Sequence, residues 1–260
     1  GFLKAPNNDR MKFSLLWCNH DLGDIARGAV TPETFELLTD YVIEHYFKHP
    51  SYWLVDGCPY FSIYEVNTFL ATFGGDYARA GEAIARFREK VKAAGFPDLH
   101  LNGVLFGLGG ILSQAVAALG SQYMNSVRNG GGSNGLENGA AGIPVPYHLN
   151  ISMGWDSSPR CGNVTPGEWL RRRDYPFGAV IVDNTPYLFK KYLAEAKAWT
   201  LAKPESERIV VINSWNEWGE GSYLEPDTEN GMGYLKAVRD VFGSQQANGT
   251  GTAGERTVKN

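Results

Sequence analysis

Four consecutive β-branched residues, Ile209-Val210-Val211-Ile212, mark a buried strand late in this 260-residue chain. The run passes directly into Asn213-Ser214-Trp215-Asn216-Glu217-Trp218-Gly219-Glu220-Gly221-Ser222-Tyr223-Leu224-Glu225-Pro226. Aromatics, amides and three carboxylates crowd into that segment, and its glycines end the strand. The strand is expected to run over 209–217, so alternation puts Asn213, Trp215 and Glu217 on one face and Ser214, Asn216 and Trp218 on the other, with Glu217 the last carboxylate it holds. Glu220 follows three residues later in a loop, which keeps it within about 10 Å of Glu217.

Two carboxyls at that separation are what glycoside hydrolysis needs. The required spacing is about 5–5.5 Å when one carboxylate attacks directly and about 6.5–9.5 Å when a water must fit between them. Trp215, Trp218 and Tyr223 add apolar platforms for the C–H faces of a sugar. By drying the site they would also raise the pKa of one carboxyl, so that it serves as an acid near neutral pH. An isolated pair of glutamates is usually two solvated loop charges, and tryptophans are usually core. The pair's place in WNEWGEG, directly after a buried strand, reverses that expectation.

The rest of the chain reads as alternating strands and helices, the pattern of parallel α/β units. Residues 12–18 form a strand that delivers Asn19, His20 and Asp21 at its end. Thr31-Pro32-Glu33 opens a helix with cap, proline and acid in the preferred places, and that helix ends near His49-Pro50. A short turn and a strand follow, with Tyr64 and Glu65 at the strand's end. Residues 76–94 are helical, with Ala80, Ile84, Phe87 and Val91 on one face and Gly95-Phe96-Pro97 as the stop. Strands over 99–106 and 147–155 are separated by a helix over 111–124 and a Gly-rich loop over 129–142. Helices over 166–173, 185–202 and 231–242 complete the pattern, and residues 244–260 read as a disordered polar tail.

At these residues a family resemblance becomes specific. NSWNEWGEGSYLEPD, over 213–227, resembles the signature of the WbsX-type domain, which carries a glycosyltransferase's name but is related to the family-99 glycoside hydrolases, the endo-α-mannosidase group. Three further segments resemble that domain. They are Leu16-Trp17-Cys18-Asn19-His20, Val55-Asp56-Gly57-Cys58-Pro59, and Gly154-Trp155-Asp156-Ser157-Ser158-Pro159-Arg160, the last close to the family's GWDNTPR. The resemblance implies a (β/α)8 barrel with Glu217 and Glu220 as its catalytic pair. In that group Glu217's counterpart assists the substrate's own 2-hydroxyl in forming a 1,2-anhydrosugar, and Glu220's counterpart is the acid and then the base. Substrate contacts are expected from Trp17, Asn19, His20, Tyr64, Trp155, Asp156, Trp215, Asn216, Trp218, Tyr223 and Glu225.

The five strands read from the sequence fall short of eight. The α/β chain is therefore expected to be a TIM-barrel type lacking its first strands, a single partial catalytic domain over 1–243, to which a partner could supply strands. A net charge of −4 with no basic cluster argues against a nucleic-acid partner. Residues 101–127 carry no charge, but glycines and polar residues break that stretch into a strand and a helix, so no membrane span is expected. Cys18, Cys58 and Cys161 are too dispersed for a zinc site, 227–230 fit no calcium loop, and the mechanism calls for no cofactor. The chain is read as soluble and as lacking its natural N-terminus, and export to the periplasm or the exterior is the expected location.

The function expected is cleavage of an α-linked glycan with retention of configuration. Two alternatives stand beside it. One is a glycosyltransferase of surface-polysaccharide biosynthesis, although no Asp-x-Asp or diphosphate-binding motif is found. The other is a carbohydrate-binding barrel without catalysis.

Overall fold

A computed structural model of the chain describes residues 1–19, 31–105, 123–126, 147–172, 176–177, 180–181 and 184–243. Its frame is a sheet of six parallel strands in the order β1 (Leu15–Trp17), β3 (Cys58–Ile63), β4 (His100–Leu105), β5 (Tyr123–Ser126), β6 (Tyr147–Ser152) and β7 (Val210–Asn213). The two-residue β2 (Leu54–Val55) pairs antiparallel with β3. Among the described residues β1 and β7 are the outer strands of an open sheet, and no closed barrel is formed.

Capping chemistry starts the helices where the sequence predicts. Thr31 accepts a bond from the Thr34 amide ahead of α1 (Pro32–Val42), which continues through a wider turn to Phe47. Asp76 accepts from the amides of Ala78 and Arg79 at 2.9 and 3.2 Å and so opens α3 (Tyr77–Ala93). Asp76→Ala is expected to cost about 1 kcal/mol, read as a lower urea midpoint with an unchanged slope. Thr185 caps α5 (Pro186–Leu201), and α4 (Pro166–Arg171) and α6 (Gly233–Phe242) complete the later set.

Register assigns the faces of the sheet. Leu15, Phe61 and Leu101 lie side by side, as do Trp17, Ile63 and Gly103. This face meets α1, α3 and the short α2 (Val66–Thr72) through a cluster that includes Phe35, Phe47, Phe69 and Phe87. Leu149 and Ile151 of β6 meet α5 and α6 through Phe189, Leu193, Ala196, Tyr234 and Ala237. The opposite face is polar. Asn102 donates to Ser62 at 3.1 Å, and the rings of Tyr60, His100 and His148 stack below them.

Those two histidines make stability depend on pH. Burial pushes His100 down to about 4, with Arg88 adding to the effect and Asp56 opposing it. Burial and the His100 charge push His148 down to about 3. Both are neutral in the fold at pH 7, whereas the unfolded chain takes up protons below about 6.5. Stability is therefore complete above that pH and falls as the pH drops from 6.5 toward 4. The limiting slope is about 1.4 kcal/mol per pH unit for each histidine. Urea unfolding at pH 7, 6 and 5 is expected to show this loss and His148→Gln to flatten it; a midpoint constant over the range would refute the assignment.

The structure corrects the sequence reading in three places. Residues 123–126 form strand β5 rather than the end of a helix, which makes six parallel strands where five are expected. Gly120 interrupts the apolar spacing ahead of them, and pairing with β4 and β6 outweighs local helical preference. Helix α2 is not foreseen, although Val66, Phe69, Leu70 and Phe73 carry its spacing. The strands expected over 147–155 and 209–217 end at Ser152 and Asn213. The helix reading for 111–122, the loop at 129–142, His20 and the tail at 244–260 lie outside the described residues.

Candidate active site

The sheet is parallel, so all its strands end on one side, and the polar residues expected at those ends collect there. Beyond Asn213, where the bond to Ser214 is cis, the chain turns into a hairpin of β8 (Asn216–Glu217) and β9 (Ser222–Tyr223). Two hydroxyls secure the hairpin. Ser222, fully buried, donates to the Asn213 carbonyl at 2.9 Å, and Ser214 donates to the Ser222 carbonyl at 2.9 Å. The Glu217 amide then donates to the Ser214 hydroxyl at 3.2 Å, fixing the backbone under the first glutamate. Because the strand ends at Asn213, the alternation expected through Glu217 does not operate, and the hairpin sets the side-chain directions instead.

A second loop locks against this hairpin. The Asp156 amide donates to the Glu220 carbonyl at 2.7 Å, while the Asp156 carboxylate accepts from the Ser158 amide at 2.9 Å and opens the turn that carries Arg160. Gly221 sits at φ +57°, and a Cβ there would lie 3.0 Å from that of Asp156. A Cβ on Gly219 would lie 3.1 Å from Arg160 Nε.

Glycine thus lets two loops from different parts of the chain touch. The result is a guanidinium between two carboxylates. Arg160 Nη2 lies 3.0 Å from Glu217 Oε2, and its Nε lies 3.4 Å from Glu220 Oε1. Both contacts use one rigid fork, so the two carboxylate oxygens are no more than about 9 Å apart. That bound contains both spacings that sugar hydrolysis uses. The carboxylates differ in setting: Glu217 is half exposed, Glu220 only 17% exposed.

Strands at the far edge contribute to the same place. The Cys18 thiol, exposed just past β1, is pushed upward in pKa by partial desolvation and then by the Glu217 charge. Tyr64, just past β3, is pushed up by burial and then by Cys18, Glu220, Glu65 and Glu217. Charges on the hairpin after β7 thus act on groups just past β1 and β3. Asn19 holds that corner, donating to the Glu65 carbonyl and accepting from the Glu65 amide, both at 2.8 Å.

The expected aromatic residues divide into two groups. Trp218 stacks on Tyr223 at 3.9 Å between centroids, and its indole N–H donates to Glu225 at 2.8 Å. Trp215 and Trp218 remain 53% and 46% exposed beside the glutamates, with Asn216 between them. Trp155 is half buried, and its carbonyl accepts from the Ile181 amide at 2.8 Å. Trp17 turns the other way, stacked on Phe35 at 5.6 Å and edge-on to Phe69, because alternation along β1 sends Trp17 to the helices and Cys18 to the polar side. Trp17 is partly buried against the core, and Asn19 is a buried brace.

Arg160 is the residue the sequence reading passes over. It stands in the GWDSSPR segment, but nothing in its spacing says that it reaches residues more than fifty positions away. Among the described residues no group of three or more His, Cys, Asp or Glu side chains is placed to hold a metal ion. Nor is any helix among them long and apolar enough to cross a membrane.

Comparison with known proteins adds the following. Residues 145–238 match a family described as Glycosyltransferase WbsX, a segment holding both loops of the site but neither Tyr64 nor Asn19. A 93-residue stretch, 35% of the chain, is 33% identical to the uncharacterized protein WxcX of Xanthomonas campestris pv. campestris, in strains B100 and ATCC 33913. The chain spans 12% of the length of those relatives. Two structures of the GH99 endo-alpha-mannosidase from Bacteroides thetaiotaomicron superpose on it. One, with BIS-TRIS-Propane bound, gives a TM-score of 0.53 at 19% identity, over 82% of this chain and 64% of the enzyme. The other gives 0.52 at 16%, over 88% and 73%. The enzyme is a TIM barrel, and at this identity the likeness speaks for the fold alone. Residues 145–238 are thus similar in sequence to the WbsX family, and the chain is similar in fold to the GH99 enzyme.

Proposed function

We propose that the chain is a glycoside hydrolase that cleaves an α-linked glycan with Glu217 and Glu220. The observation that carries this reading is the pair of carboxylates joined through one guanidinium at the C-terminal end of the sheet, flanked by exposed Trp215 and Trp218. Residues 1–243 are taken as one catalytic unit of (β/α)8 type, to which the six parallel strands among the described residues belong.

The proposed chemistry proceeds with retention in two steps. Glu217 accepts the proton of the sugar's 2-hydroxyl as that oxygen attacks C1, while Glu220 protonates the departing glycosidic oxygen. The product of this step is a 1,2-anhydrosugar. Glu220, now ionised, takes a proton from water as the water adds to C1, and Glu217 returns its proton to O2. Trp215, Trp218 and Tyr223 supply apolar faces for the sugar rings, and Glu225 orients Trp218. Tyr64, Trp155, Asp156 and Asn216 are the polar and aromatic groups proposed to shape the subsites.

The name of the matching family keeps a transferase as the second reading. One experiment separates the two. The chain is incubated with α-linked glycans in water and, in parallel, with nucleotide sugars and an acceptor glycan. Hydrolysis without a nucleotide sugar, its first-formed product keeping the α-configuration by NMR, is expected. Transfer that requires a nucleotide sugar, with no hydrolysis, would replace the proposal with a transferase, and glycan binding without either reaction would leave a binding barrel.

A further inference from the structure

We propose that Arg160 is a positioning residue for the carboxylate pair, an inference that rests on the hydrolase reading above. Glu217 is half exposed, and among the described residues the Arg160 guanidinium is the one partner of its carboxylate. The guanidinium sets its direction. Nη2 donates to Glu217 at 3.0 Å and Nε of the same planar edge lies 3.4 Å from Glu220, so one rigid group is in ion-pair range of both carboxylates.

The fold prepares this arrangement in ways that a chance surface ion pair does not need. The Arg160 amide donates to the Ser157 carbonyl at 2.9 Å, and buried Ser157 donates to the Pro176 carbonyl at 2.5 Å, anchoring the turn from beneath. Asp156 ties the same turn to Glu220 through the backbone. Gly219 leaves open the space in which the guanidinium lies. The acid/base residue and the residue that activates the 2-hydroxyl therefore share one reference point, supplied by a loop outside the hairpin that carries them.

Arg160→Met removes the charge and the fork but keeps the stem. Arg160→Lys keeps a point charge that cannot reproduce the planar edge. Gly219→Ala touches no charge and pushes the guanidinium aside. The assay is kcat and KM for release from the glycan that the unmodified chain cleaves, with Glu220→Gln as the control for the reading and thermal unfolding as the control for the fold. Misplacement near 1 Å costs about 100-fold in rate. Arg160→Met is therefore expected to lose about 100-fold in kcat with KM within about threefold, Arg160→Lys to recover part of the loss, and Gly219→Ala to fall between Arg160→Met and the unmodified chain.

Unchanged kcat in Arg160→Met while Glu220→Gln is inactive would overturn the inference and leave the hydrolase reading standing. A loss confined to KM would overturn it too, by making Arg160 a substrate contact. Release by neither the unmodified chain nor any variant would bring down the hydrolase reading and this inference together.

Discussion

Glu220→Gln, and separately Glu217→Gln, is expected to lower glycan turnover by about 10²–10⁴-fold, the usual contribution of a positioned proton-transfer group. Glutamine has nearly the same shape but can neither give up nor take the proton, so the two steps fail for different reasons. Gln at 220 cannot protonate the departing oxygen, and Gln at 217 cannot accept the proton of the 2-hydroxyl. The hairpin should survive both changes, because Ser214 and Ser222 hold it by bonds to backbone groups rather than to either carboxylate. Stability within about 0.5 kcal/mol of the unmodified chain is the expected companion result. Leaving-group dependence distinguishes the roles: a glycoside with an activated leaving group should rescue Glu220→Gln and leave Glu217→Gln slow. Near-normal rates in both variants would remove these residues from the chemistry.

Phe35→Ala is expected to lose about 3–5 kcal/mol of folding stability. Phe35 has no exposed surface, and its ring meets Phe69 at 5.1 Å, Trp17 at 5.6 Å, and Phe73 and Phe87 at 6.2 Å. It joins α1 to α2, α3 and β1, so the cavity it leaves is walled by four elements that cannot all close on it. Edge-on aromatic pairs add to the loss beyond area alone. The measurement is urea unfolding of both proteins. A loss under about 1 kcal/mol would show that the first half of the sheet does not depend on this cluster.

What the sequence discloses and what it conceals follow from how far apart the cooperating residues lie. Helix starts are local events, so Thr31-Pro32, Asp76 and Thr185-Pro186 are legible from two or three residues each. The strand itself is equally local, although Val210–Asn213 is half buried where full burial is expected, and WNEWGEG marks the site because carboxylates and tryptophans concentrate in it. The end of that strand is harder to place. It depends on Ser214 and Ser222 bonding across eight or nine positions, and the same letters would be compatible with a strand continuing to Glu217. Strand β5 is hidden because its four residues gain stability from neighbours on both sides rather than from their own pattern.

The site's assembly was the least legible part. Nothing local says that Arg160 reaches the glutamates or that Cys18 and Tyr64 come within range of their charge, because those distances are set by which strand ends the fold brings together. Trp17 shows the reverse case. Its motif suggests a sugar contact, but one position of alternation turns it into the core and gives its place to Cys18.

The measurement that tests the central claim most directly is sugar release from a panel of α-linked glycans by the unmodified chain and by its Glu220→Gln variant. Release by the unmodified chain, reduced by about 10²-fold or more in the variant, is the result expected of a carboxylate pair that performs the cleavage. Equal release by the two proteins would contradict the account, as would no release by either when both bind the same glycan.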